Sequence, residues 1–100
     1  MDVMIDLCVV PLGVGVSVSE YIVECERIIK AAGLSSHLHP YGTVIEGDWD
    51  AVMAVVKQCH QKVHDMGAPR ISTSMRIGTR TDRTQSMQDK LNSVTEKLER

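Results

Sequence analysis

Two capped amphipathic stretches, a strand-like pair between them, and a strand-like segment on either side predict an α+β fold for this 100-residue chain. The order reads β-α-β-β-α-β with a further helix at the end. Two β-α-β units around a hairpin describe a ferredoxin-like sandwich. Right-handed crossovers then place both main helices on one face of a four-stranded antiparallel sheet and leave the other face bare. At 100 residues the chain is read as a single domain, residues 1–100.

Each element has its own signal. Met4 to Leu12 is short and rich in Val, Ile and Leu, with Pro11 and Gly13 stopping it, so it reads as a buried strand. Ser17 opens a helix, and Glu20 three residues on completes a capping box. Val18, Tyr21, Ile22, Cys25, Ile28, Ile29 and Ala32 follow at helical spacing, and Gly33 supplies the C-terminal cap. Ser35–Tyr41 and Thr43–Glu46 form a hairpin hinged at Gly42. Asp48 caps a second helix with Trp49, Val52, Met53, Val56, Cys59, His60 and Val63 on one face, ended by Gly67 and Pro69. Arg70 to Arg80 alternates as a strand, with Ile71, Met75 and Ile77 on one side and Ser72, Ser74 and Arg76 on the other. Ser86 caps a third helix whose apolar stripe is Met87, Leu91, Val94 and Leu98; that stripe needs cover, either from its own sheet edge or from a second subunit. The first and last strands are expected as central neighbours in the sheet.

Composition removes several function classes. The chain has no Phe, only Tyr21, Tyr41 and Trp49 as aromatics, and a net charge of -2, so nothing draws it to nucleic acid or anionic lipid. Sheets of this type that bind RNA stack bases on aromatics and carry the RNP signature; this chain has no Phe, and Met75-Arg76 stand in the last strand. Cys8, Cys25 and Cys59 are odd in number, share no short spacing and sit among apolar residues. That usage fits a reducing, cytoplasmic compartment better than a disulfide framework or a zinc site. The apolar run Val9–Val18 follows Asp2 and Asp6 with no Lys or Arg before Arg27, and is broken by Pro11 and glycines, so it does not read as a signal peptide. No stretch approaches the roughly 20 apolar residues of a membrane span.

Alternation assigns chemistry to the bare face. Ile5, Leu7 and Val9 should meet the helices, which turns Asp6, Cys8 and Val10 outward, together with Ser72, Ser74 and Arg76. A carboxylate, two hydroxyls and a guanidinium among small apolar groups suit a small polar ligand. The alternative is a cross-strand Asp6–Arg76 ion pair beside solvated serines. The loop Pro11–Ser17 leads into a helix N-terminus, yet it lacks both the third glycine of a dinucleotide fingerprint and the Gly-Lys-Ser/Thr of a P-loop. His37 and His39 share a strand face, and His60 and His64 lie one helical turn apart. Neither pair is read as having a carboxylate or thiolate that completes a first shell, and His60 falls on the apolar stripe, so no metal or other cofactor is expected. No nucleophile stands beside a base, and Ser72 and Ser74 lie in a strand rather than on a strained elbow, so no enzyme is expected. Gly78–Thr84, with three charges and three threonines, reads as an exposed turn.

Three motifs in order, Cys8-Val-Val-Pro-Leu-Gly13, Leu38-His-Pro-Tyr-Gly-Thr-Val-Ile-Glu-Gly47 and Ile71-Ser-Thr-Ser-Met-Arg-Ile77, resemble the thiamine-binding-protein family over nearly the whole chain. Gly78-Thr-Arg-Thr-Asp82 and Gln88-Asp-Lys90 are most similar to its fungal branch. The resemblance implies a ferredoxin-like fold, assembly into dimers or tetramers through the sheet, and a pocket for thiamine or its hydroxymethylpyrimidine part without a reaction. Carried over to this chain, it implies a site using the Pro11–Gly13 turn, Thr43 and Glu46 of the hairpin, and Ser72 and Ser74 of the last strand; only the resemblance selects Thr43 and Glu46. An aminopyrimidine needs donors and an acceptor along one edge, and a thiazolium cation favours Asp6 or Glu46. The competing expectation is a structural or regulatory oligomerisation module, with the sheet face consumed by subunit contacts and no small-molecule ligand.

Overall fold

The computed structural model describes residues 1–15 and 17–100; Val16, inside the loop before the first helix, lies outside the described residues. The elements run β1 (Asp2–Leu12), α1 (Ser19–Ala31), β2 (Ser35–His39), β3 (Gly42–Asp48), α2 (Trp49–Asp65), β4 (Arg70–Thr79) and α3 (Met87–Leu98). All seven expected elements are present in the expected order. The strands form one antiparallel sheet in the order β2-β3-β1-β4.

That order corrects one expectation. β1 is central, but its partner at the centre is β3, and β4 is an edge strand. The α1 crossover leaves a vacant position beside β1, and the hairpin folds β3 back into it. The α2 crossover then delivers β4 to the free side of β1, still in a right-handed sense.

Register fixes the faces. Val3, Ile5 and Leu7 of β1 are buried under the helices, with Ile45 of β3 opposite Ile5. From α2, the residues Val52, Val55, Cys59 and Val63 close over them, and Cys25 and Ile29 come from α1. Val55 was not on the predicted stripe; the buried line runs slightly around the helix, and Val56 packs at its margin. The Cys59 thiol points toward the Cys25 carbonyl at 3.9 Å. Its pKa is raised, first by the hydrogen bond with Cys25 and then by burial, so it stays protonated and packs as a small hydrophobe. Among the described residues, the three cysteines are free thiols.

Boundaries moved where local chemistry was misjudged. The N-cap of α1 is Val18, with no side-chain cap, so the expected box of Ser17 with Glu20 does not form. Asp48 does cap α2 by accepting from the Asp50 N–H, and Ser86 forms a full capping box with Asp89 at α3. Gly42 lies inside β3 rather than at the hinge, which is Pro40–Tyr41. A Cβ on Gly42 would stand 2.5 Å from the Leu7 carbonyl oxygen, so the tight β3–β1 approach requires glycine there. Pro11 does not stop β1. Beyond Leu7 the strand pairs only with β4, so a residue without an N–H can be accommodated.

The third helix stands apart. None of its residues is buried, and Leu91, Val94 and Leu98 are exposed. The radius of gyration is 15.1 Å, against about 13 Å for a compact chain of this length. No helix among the described residues is long and apolar enough to cross a membrane.

Candidate functional site

The uncovered sheet face carries cross-strand rows. One row runs His37, Val44, Asp6, Arg76, and beside it Cys8 faces Ser74; one residue pair further on, Ser72 faces Val10. On the other side of the Asp6 row lie Glu46 and Met4. Asp6, Ser72, Ser74 and Arg76 therefore emerge on the same side of the sheet, as alternation predicted. Glu46 joins them.

Pro11, Gly13 and Thr43 do not. Pro11 is opposite Ile71 on the helix side and is buried. Gly13 has φ 79°, the left-handed turn that glycine permits, and lies against Pro69. Thr43 is opposite Leu7 and only 5% exposed, and its hydroxyl donates to Glu26 of α1. Thr43 and Glu46 are three residues apart on one strand, and an odd separation puts them on opposite faces. Thr43 is a polar plug in the helix layer, satisfied where it is.

Asp6 is not paired with Arg76. Its Oδ1 accepts from His39 Nε2 at 2.7 Å, across the hairpin strand from a residue 33 positions away. The Tyr41 N–H donates to His39 Nδ1 at 3.2 Å, which fixes the ring tautomer with its proton on Nε2. Both ring nitrogens are thus engaged, and the imidazole orients the carboxylate. Gly42 makes the approach possible, since its missing Cβ would also lie 3.4 Å from Asp6 Oδ1. Arg76, exposed and opposite Asp6, makes no hydrogen bond or ion pair among the described residues.

Two concavities meet at Asp6 and Arg76. The smaller, about 160 Å³, is bounded by Cys8, Ser74, Met75 and the largely exposed Tyr41 as well. It has room for one heteroaromatic ring. The larger, about 1190 Å³, opens between the sheet and the Thr79–Ser86 arm, with Met4, Val44 and Glu46 on its floor. Ser72 borders neither cleft, although it shares the face. Glu46 also holds the start of α3, accepting from the Met87 N–H at 2.8 Å. The arm itself is tied by Arg80, which donates to both Asp82 oxygens and to Gln85.

Neither histidine pair forms a metal site. His60 Nε2 is hydrogen-bonded to Thr73 Oγ1 at 2.6 Å under the helices, and His64 Nδ1 donates to the Ala68 carbonyl. Among the described residues no cluster of three or more His, Cys, Asp or Glu could hold a metal ion.

Sequence reasoning missed His39, Tyr41 and the arm. The alternation of His37 and His39, and the position of a scarce aromatic beside Gly42, were the available signals.

Comparison with known proteins bears on this arrangement. A family model described as "Thiamine-binding protein" matches residues 5–95. A UPF0045 protein of Synechocystis is 60% identical over 99 residues, covering 99% of this chain and 82% of its own. A UPF0045 protein of the fungus Eremothecium gossypii is 46% identical over 99 residues, covering 98% and 94%. A solved protein of Methanocaldococcus jannaschii superposes with a TM-score of 0.87 at 30% identity, over 95% of this chain and 97% of that one. A Thermotoga maritima structure superposes with a TM-score of 0.80 at 20% identity, over 94% of this chain and 99% of that one; at that identity it speaks for the fold alone.

Proposed function

The chain belongs to the thiamine-binding protein family, and from that premise we propose that it binds thiamine or a thiamine-related pyrimidine on its uncovered sheet face without transforming it. The observation that carries this reading is the Asp6 carboxylate, oriented by His39 and flanked by Ser74, Arg76 and the ring of Tyr41. An aminopyrimidine offers an amine donor beside ring-nitrogen acceptors. The second Asp6 oxygen can take the amine, the Ser74 hydroxyl can donate to a ring nitrogen, and Tyr41 supplies an apolar lid. The Asp6 and Glu46 charges favour a thiazolium cation.

The same geometry favours binding over catalysis. His39 donates with one nitrogen and accepts with the other, so neither is free to take a proton from a substrate. The three free thiols fit a reducing, cytoplasmic setting. The exposed stripe of α3, and the edge strand β4 with Met75 and Ile77 left partly exposed on its helix side, support assembly with further copies along the sheet edge.

Calorimetric titration of the purified protein with thiamine and with hydroxymethylpyrimidine tests the reading. At least one should bind, and Asp6→Asn should weaken it by about tenfold or more, because an exchanged charge-assisted hydrogen bond contributes about 1.4 kcal/mol or more. Absence of heat from both compounds at millimolar concentration overturns the proposal.

A further inference from the structure

The larger cleft is too roomy for a single ring, and charges of both signs line it. The carboxylates are Asp2, Asp6 and Glu46, and Arg76 of β4 stands beside Asp6 on the sheet floor. Arg83 from the arm and Lys90 from the first turn of α3 add two cations on the wall across from the sheet. Arg80 belongs to the same wall, but its guanidinium is consumed by Asp82 and Gln85. Its work is to fold the arm back. Arg76, Arg83 and Lys90 make no hydrogen bond or ion pair among the described residues.

Single solvated cations on a surface need no explanation. Three of them, unpaired and turned on one concavity that shares Asp6 and Arg76 with the ring-sized cleft, make a field directed along it. A ligand anchored at Asp6 extends into that field. The complementary tail is an anion, and its shape can be narrowed. A planar carboxylate offers two oxygens to one guanidinium, whereas a phosphate monoester presents three terminal oxygens and close to two charges, enough for three separate donors.

We infer that the ligand of this site is a phosphorylated one: a cationic or amino-substituted heteroaromatic ring held at Asp6, with a phosphate monoester reaching Arg76, Arg83 and Lys90. The inference rests on the proposed thiamine-type site and adds to it the form in which the ligand arrives. No bond is made or broken. Asp6 attracts the ring, and the cations of β4, the arm and α3 attract the phosphate, so the two ends of the ligand are distinguished by charge.

The test is calorimetric titration of the full chain with thiamine, thiamine monophosphate and inorganic phosphate, at low and at physiological ionic strength. Thiamine monophosphate should bind about tenfold more tightly than thiamine at low salt, the size of one or two charge-assisted contacts at an exposed site. That advantage should shrink as salt screens it. In the double variant Arg83→Ala/Lys90→Ala, two exposed substitutions that leave the core untouched, the monophosphate-to-thiamine ratio should fall to within about twofold. Equal affinities in the unmodified protein, or a ratio undiminished in the double variant, overturn the inference while thiamine binding still stands. If thiamine, its monophosphate and hydroxymethylpyrimidine all fail to bind, the site reading falls and this inference with it. Inorganic phosphate binding as tightly as the monophosphate would also overturn it, because the ring would then contribute nothing.

Discussion

The two faces of the sheet are built on opposite principles, although the same strands make both. On the covered face, Ile5, Ile45, Val52 and Val63 are excluded from water, and the polar intruders are matched: Thr43 to Glu26, and His60 to Thr73. On the uncovered face one contact, His39 with Asp6, stands beside groups without partners among the described residues: Arg76 on the strand, Arg83 on the arm and Lys90 at the start of α3. A fold stabilises itself with the first kind of surface. The second kind contributes little to stability, and it leaves its donors and charges available to a ligand or a second copy.

The difference should be largest in stability. Ile45→Ala, at a residue with no exposed surface, should cost about 2–5 kcal/mol, since the helices above it cannot collapse into the space. Leu91→Ala, on a helix with no buried residue, should change chain stability by less than about 0.5 kcal/mol. Chemical denaturation followed by circular dichroism measures both. The open half should respond in assembly instead: Val94→Asp should lower the mass seen by light scattering without moving the unfolding midpoint of the isolated chain. A clean monomer before substitution would remove the idea that copies cover α3.

A subtler comparison sets Thr43 against Asp6. Thr43→Val keeps the shape but leaves the Glu26 carboxylate without its donor, a loss of about 1 kcal/mol in stability. Thiamine affinity should stay within about twofold, because the side chain is under the helices. A tenfold loss of affinity would instead place Thr43 in the site and break the division between the faces.

These contrasts also show what could be read from sequence. The period-two alternation of β1 and β4 was enough to put Asp6, Ser72, Ser74 and Arg76 on one face, since face depends only on parity within a strand. The same count separates Thr43 from Glu46, whereas motif resemblance groups them, because a motif carries no information about faces. Position in the sheet is harder to read: element order alone suggests a central β4, yet β4 is the edge, because strand order depends on where the hairpin returns. The His39–Asp6 contact was out of reach, as it needs the register of β2 on β3 and of β3 on β1 together. α1 shows a different failure. A Ser-x-x-Glu pattern was present, yet the helix begins one residue later, at a Val18 with no capping side chain. The arm was legible only as an exposed turn, because its fold comes from Arg80 engaging Asp82 two residues on, a loop geometry without a periodic signature.

That arm gives the smallest expected effect and the sharpest local one. Hydrogen bonding from the Arg80 guanidinium lowers the Asp82 carboxyl from its ordinary 3.8 to about 2. A depressed carboxyl contributes its stabilisation above the unfolded-state pKa, near 4, and loses it as pH falls through the folded value. The arm should therefore keep its shape at neutral pH and loosen between about pH 4 and 2, with little change in global stability because the pair is exposed. NMR titration of the Asp82 carboxyl should show a midpoint well below 3.8, with the Arg80–Gln85 amides moving in the same window. In Asp82→Asn those amides should no longer follow pH there. A midpoint at the ordinary value would mean that the arm is not held by its own charges. The cations would then be positioned by β4 itself and by Glu46 holding the start of α3.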